Sequence, residues 1–174
     1  IKRIHDEFRI TSVYVTHDQS EAMVTSDRIA VMNNGRIEQV DTPYMVYNRP
    51  RSRFVASFIG RTNFLSARLS GQQLQFDGFS LPLSMFEESP QGTEPTFSVR
   101  PHAFTLSEAE PDASERPKLR CTVLERSFLG EHWDYMIRLG DDTAVRAVAP
   151  PSNIFEVAST PWVTLDPKQI VPTV

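Results

Sequence analysis

The sequence predicts two architectures joined in one chain: an α/β segment over residues 1–62, then an all-β domain of small antiparallel-barrel type over residues 63–174. Three observations carry this expectation. A β-branched and aromatic run, residues 12–16, is followed at once by Asp18-x-x-Glu21, the spacing of a helix capping box. Phe54, Val55, Phe58 and Ile59 recur at helical spacing. From Asn63 onward the apolar period falls to two, the mark of half-buried strands.

In the first segment, Ile1, Ile4 and Phe8 lie on one face of an expected helix. Residues 12–16 then read as a buried strand, and a helix follows over about residues 19–26. Arg28-Ile29-Ala30-Val31-Met32 is an expected strand. Asn33-Asn34-Gly35 supplies residues that tolerate positive φ, and Arg36-Ile37-Glu38-Gln39-Val40 returns as the second arm of a hairpin. Asp41-Thr42-Pro43 marks a helix start, because proline at the first helical position gives up no needed N–H. Asn48-Arg49-Pro50 breaks that helix, Ser52 caps another, and Gly60 ends it.

In the second segment, residues 64–69 form one expected strand and Leu74 and Phe76 mark the next. Phe79, Leu81 and Leu83 follow after a Gly78 turn. Phe97 and Val99 mark a strand closed by Arg100-Pro101. Leu119, Cys121 and Val123 alternate, and Trp133, Tyr135, Ile137 and Leu139 form the clearest two-period in the chain. Gly140-Asp141-Asp142 turns into a strand over 143–148, and the last strand covers 162–165. Eight or so short strands at this spacing point to antiparallel barrels rather than a parallel sheet. Two Pro/Ser/Glu-rich stretches, 87–95 and 107–118, read as solvated loops, the second separating two strand clusters.

Composition narrows the function classes. The 174 residues carry a formal charge of −4, unevenly placed. Residues 1–62 hold 9 Lys/Arg against 7 Asp/Glu, and residues 63–174 hold 9 against 15. An acidic second half without a basic stripe argues against nucleic acid as a partner, since that affinity comes from neutralising phosphates. The single Cys121 has no internal partner and sits in an alternating apolar run, which favours a buried structural thiol. His5, His17, His102 and His132 are scattered without ligand-pair spacing, so no metal site is expected. No apolar run approaches the roughly 18 residues that a membrane helix needs, so the chain is not expected to cross a bilayer by one.

The most informative stretch is Val13-Tyr14-Val15-Thr16-His17-Asp18-Gln19-Ser20-Glu21-Ala22-Met23. It places one histidine between a strand end and a helix N-terminus, where open α/β sheets hold anionic ligands. An isolated histidine there is more often structural. These eleven consecutive residues, however, resemble the switch segment of ABC-transporter ATPases, in which that histidine contacts the γ-phosphate of ATP. The later phrases Asn34-Gly35-Arg36-Ile37-Glu38-Gln39-Val40, Thr42-Pro43 and Arg53-Phe54-Val55-Ala56-Ser57-Phe58-Ile59-Gly60 are similar, in the same order, to importer ATPases for sugars, polyamines or ferric iron. Ser98-Val99-Arg100-Pro101-His102 resembles the Arg-Pro-Glu motif of the TOBE regulatory domain in those proteins, with His102 in place of the acid. Leu165-Asp166-Pro167-Lys168-Gln169-Ile170-Val171 looks like its closing strand and turn.

The resemblance implies the end of a P-loop NTPase domain over 1–62 and an OB-like TOBE barrel over 63–174. It implies the C-terminal part of a longer ATPase, with His17 as the catalytic switch residue. ATP and Mg²⁺ are cofactors of that longer protein, and none is expected for this part alone. The phosphate loop G-x-x-x-x-G-K-[ST] (Walker A), the LSGGQ-type signature helix and the acidic Walker B strand end do not occur here. Leu69-Ser70-Gly71-Gln72-Gln73 lies between strand-like stretches and is not that signature. The implied partners are the permease's transmembrane subunits and a second copy of the ATPase. The implied location is the cytoplasmic face of the plasma membrane. A reading from another class stays open: an OB-like module binding a small oxyanion, with Arg100 and His102 as its candidate residues, or a protein partner.

Overall fold

The computed structural model describes residues 7–8, 10–86, 90, 92–112 and 116–173. The chain divides into two compact units, Ile1–Gly60 and Arg61–Val174. Of the expected first helix, Ile1 and Ile4 lie outside the described residues; Phe8 is helical and exposed.

In the first unit, residues 12–16 are extended but make no ladder, and Val13 and Val15 are 91% and 90% exposed. This corrects the expected buried strand. β-branching favours extension, but a strand is buried only when others pair with it and cover its faces, and no described residues do so here. Helix α1 (Gln19–Thr25) follows, with Asp18 as N-cap. Strands β1 (Ile29–Asn33) and β2 (Arg36–Asp41) form the expected hairpin. Its turn has φ of 47° at Asn34 and 75° at Gly35, the pair of left-handed residues that a two-residue hairpin loop needs. Thr42 caps α2 (Pro43–Asn48) and Ser52 caps α3 (Arg53–Phe58), each hydroxyl accepting a backbone N–H three residues on.

These pieces bury Ile29, Val31, Val46, Val55 and Ile59 together. Gln39 is buried beside them and satisfied at both ends of its amide. Its Nε2 donates to the Arg49 carbonyl at 3.1 Å and its Oε1 accepts from the Arg51 N–H at 2.9 Å. One buried amide thereby ties the hairpin to the α2–α3 connection around Pro50.

The second unit is β-rich, with three antiparallel sheets around one core and no α-helix among the described residues. Its strands are β3 (Asn63–Ser66), β4 (Arg68–Ser70), β5 (Gln73–Phe76), β6 (Phe79–Pro82), β7 (Thr96–Val99), β8 (Phe104–Ser107), β9 (Lys118–Phe128), β10 (Trp133–Leu139), β11 (Thr143–Ala149), β12 (Trp162–Leu165) and β13 (Ile170–Thr173). The sheets run β11-β10-β9-β12-β8, β13-β7-β3 and β4-β5-β6. Phe97, Phe104, Tyr135, Leu74 and Leu165 from all three sheets are almost wholly buried in the common core. β9 serves two neighbours. Its first residues pair with β12, the rest pair with β10, and Leu124 is the extra residue of a bulge within the β10 ladder.

Several local expectations change. The expected 64–69 strand splits at Ala67, whose N–H donates instead to the Pro95 carbonyl. Leu83 leaves the strand for a 3₁₀ turn (Leu83–Met85), although its N–H still donates to the Gln72 carbonyl opposite it. Strand β8 falls where no strand was expected, and it pairs with β12 from beyond the 107–118 stretch. That stretch therefore joins strands of one sheet rather than separating two clusters. Leu69 to Gln73 is a hairpin, with Gly71 at φ 61° in the turn.

Two hairpin tips are locked by Asp77. Its carboxylate accepts the backbone N–H groups of Asp141, Asp142 and Thr143 at 3.2, 3.1 and 2.8 Å. Gly140 has φ 53°, and a Cβ there would run into that carboxylate. Burial alone would push the Asp77 pKa up, but these N–H bonds and the Thr143 hydroxyl outweigh it and hold the pKa below the usual value. A depressed folded-state pKa stabilises above the unfolded value and loses that effect as pH falls through the folded one. Asp77→Ala is therefore expected to cost about 1–2 kcal/mol at neutral pH. The difference from wild type should shrink steadily below about pH 4. Chemical denaturation across that pH range checks this; a pH-independent difference would count against the N–H cap.

Candidate functional site

His17 is exposed on the turn between the extended segment and α1. The residues around it are fixed by short-range bonds. The Asp18 N–H donates to Thr16 Oγ1 at 2.9 Å, and Asp18 Oδ1 accepts the Glu21 N–H at 3.0 Å. The second half of the expected capping box differs. Glu21 does not reach back to the Asp18 N–H, which Thr16 has taken. Its Oε2 accepts from the Tyr14 hydroxyl at 2.8 Å and the Thr16 hydroxyl at 3.2 Å. The hydrogen bond to Glu21, then its charge, raises the Tyr14 pKa, since both oppose a phenolate. Residues on both sides of His17 are thus tied to one another, while its imidazole carries no hydrogen bond or ion pair among the described residues.

The second unit brings together residues that the sequence left apart. Asp134 is 8% exposed, and its Oδ2 accepts from Arg61 Nη1 at 2.7 Å and Arg146 Nη1 at 3.1 Å. The Asn63 side chain behaves like one more strand residue, giving its Nδ2 to the Arg146 carbonyl at 2.8 Å and accepting the Arg146 N–H at 2.7 Å. Period two predicts that Asp134 faces away from Trp133 and Tyr135, but Arg61, 73 residues distant, leaves no local signal.

Arg100 was a candidate for an anion site, and it is turned inward instead. It is 5% exposed and donates to the Arg61 carbonyl at 3.1 Å, with its own carbonyl opening the 3₁₀ turn Pro101–Ala103. His102 lies exposed on that turn. His5 lies outside the described residues. Among the described residues, no cluster of His, Cys, Asp and Glu is gathered as a metal requires. Cys121 is buried, and desolvation pushes its thiol up to about 12, which keeps it protonated and inert. Tyr135 is fully buried, its hydroxyl donating to the Asn153 carbonyl and accepting the Phe155 N–H, both at 3.0 Å. Trp133 stacks on Tyr135 and meets Phe128 at a tilt, with Arg126 over its face. Both rings are packing residues. No described helix is long and apolar enough to cross a membrane.

Comparison with known proteins adds the family. Residues 97–172 match the model of the TOBE domain. The chain is 39% identical to the spermidine/putrescine import ATP-binding protein of Thermobifida fusca, over 97% of this chain and 46% of that protein. It is 36% identical to an Fe(3+) ions import ATP-binding protein of Pectobacterium atrosepticum, over 79% of this chain and 37% of that protein. Identity to the sulfate/thiosulfate import ATP-binding protein of Caulobacter vibrioides is 39%, over 63% of this chain and 31% of the relative. The chain thus spans about half the length of the relatives it matches, or less. With the TOBE match over 97–172 and likeness along almost its whole length to import ATP-binding proteins, this chain belongs to the ATP-binding subunits of ABC importers.

Proposed function

We propose that this chain is the closing part of the ATP-hydrolysing subunit of an ABC importer, carrying the switch histidine His17 and a regulatory TOBE-bearing β domain. The observation that carries the reading is the unbroken run 13–23, found in a chain that is 39% identical to an import ATP-binding protein over 97% of its length. The exposed His17, free of competing bonds between fixed neighbours, suits a residue that meets a ligand.

In the full-length subunit His17 contacts the γ-phosphate of bound ATP and positions the attacking water, next to a second copy of the subunit. Phosphoryl transfer is carried by positioned donors and Mg²⁺ around that phosphate. This chain supplies one such donor. The phosphate loop and the carboxylate that organises Mg²⁺ would come from outside it. Residues 12–16, open on both edges here, would take their place in the parallel sheet of the nucleotide-binding domain. The permease subunits are the further partners, and the complex works at the cytoplasmic face of the membrane. Which solute is imported is a property of the permease and its binding protein.

Nucleotide turnover tests the reading. The chain alone is expected to give no ATP hydrolysis above background, and the full-length subunit is expected to hydrolyse ATP. Turnover by the chain alone that exceeds a His17→Ala control would sink the proposal.

A further inference from the structure

His17 is the central residue of a turn that its neighbours close. Thr16 Oγ1 accepts the Asp18 N–H at 2.9 Å, a side-chain turn that spans the histidine and holds its backbone. Asp18 Oδ1 accepts the Glu21 N–H at 3.0 Å, and Glu21 Oε2 takes the Thr16 hydroxyl at 3.2 Å. These bonds form a closed ring, from Thr16 to Asp18 to Glu21 and back to Thr16. A hydroxyl carries one donor and two acceptor sites, so Thr16 serves both of its bonds at once only when its proton points to Glu21. The carboxylate sets that direction through a charge-assisted bond.

The ring is fastened elsewhere as well. Tyr14 lies two residues before Thr16, on the same side of the extended segment, and its hydroxyl donates to the same Glu21 oxygen at 2.8 Å. Glu21 stands on α1, whose Ala22 and Met23 pack against the core of the first unit. Gln19, at the start of that helix, accepts the Gly60 N–H on its Oε1 at 3.0 Å. Helix capping accounts for the Asp18 bond alone. The bonds at Glu21 Oε2 lie outside any cap, and they tie the segment before His17 to an anchored helix after it.

We propose that Thr16 and Glu21 are positioning residues for His17: Glu21 orients the Thr16 hydroxyl, and Thr16 holds the histidine backbone in the attitude from which the imidazole meets the γ-phosphate. The proposal rests on the reading of His17 as the switch residue. Neither Thr16 nor Glu21 touches the nucleotide. Their effect comes from geometry, since displacing a reacting group by about an ångström can cost on the order of 10²-fold in rate.

ATP hydrolysis and ATP binding by variants of the full-length subunit test the proposal. Thr16→Val and Glu21→Ala should each lower kcat about tenfold or more, with ATP affinity within about twofold of wild type. Thr16→Ser keeps the hydroxyl and Glu21→Gln keeps an acceptor oxygen, so each should recover most of the loss. Adding Thr16→Val to His17→Ala should cost nothing further, because a positioning residue acts only through the group that it holds. Circular dichroism checks that each variant is folded. Full turnover in both Thr16→Val and Glu21→Ala, beside an inactive His17→Ala, would overturn the positioning roles and leave the switch assignment standing. An equal further loss on adding Thr16→Val to His17→Ala would show that the threonine acts on something else, and would overturn its role too. Wild-type turnover in His17→Ala would overturn the switch assignment itself, and the positioning roles would fall with it.

Discussion

Replacing His17 by alanine in the full-length subunit is expected to lower ATP turnover by about 10²–10⁴-fold while leaving ATP affinity nearly unchanged. The asymmetry follows from where binding and chemistry are carried. Affinity for the triphosphate comes from the phosphate loop, whereas a positioned switch residue acts on the γ-phosphate and water as the reaction proceeds. The variant should also fold normally. His17 is exposed and unbonded, and such substitutions usually move stability by no more than about 0.5 kcal/mol. Steady-state turnover and nucleotide binding on the same preparation separate the two effects. Should the variant keep more than about a tenth of wild-type turnover, His17 is not the switch residue.

The largest stability effect is expected at Phe97. It is wholly buried in β7, between β13 on one side and β3 on the other. Its ring packs 5.2 Å from Phe76 and 5.3 Å from Phe86, so it joins the β4-β5-β6 sheet to the core. Phe97→Ala removes that shared surface and leaves a cavity beside Phe76 and Phe86, costing about 3–5 kcal/mol. Leu129→Ala, at an exposed turn residue, should cost about 0.5 kcal/mol or less. Denaturant unfolding of the two variants side by side measures the contrast. Similar losses in both would mean that the core is not organised around Phe97.

What is legible in this sequence divides along physical lines. Capped helices and hairpins were legible because their determinants are local: Thr42 before Pro43, Ser52 before Val55, and Asn34-Gly35 at positive φ. The two-period of Trp133, Tyr135, Ile137 and Leu139 was legible because three of its four side chains are buried against one core. Strand β8 was missed, since Phe104 and Leu106 give too short an alternation beside Arg100-Pro101. Its partner β12 lies more than fifty residues on, beyond β9, β10 and β11. Residues 12–16 misled in the opposite sense, because composition reports a preference for extension and cannot report whether another strand is there to receive it. At His17 the sequence named the residue and the cap. It did not reveal that Glu21 would bind the Tyr14 and Thr16 hydroxyls, because several donors compete for one carboxylate within a few ångströms. Arg100 illustrates the remaining gap: an arginine in a motif reads alike whether it faces a ligand or, as here, a backbone carbonyl.

The pairing of β12 with β8 and of β13 with β7 has a temporal consequence. Each joins strands more than fifty residues apart, so loop closure must come before any contact can offset its entropy. The hairpins β5-β6 and β10-β11 are able to form within microseconds on their own. The barrel-like core cannot close until residues 162–173 have been synthesised and brought back to strands made much earlier. During that interval β7 and β8 carry bare edges beside Phe97 and Phe104. Folding of this unit is therefore a late and concerted event in the life of the nascent chain, with its window of vulnerability to aggregation set by the ribosome rather than by the fold itself.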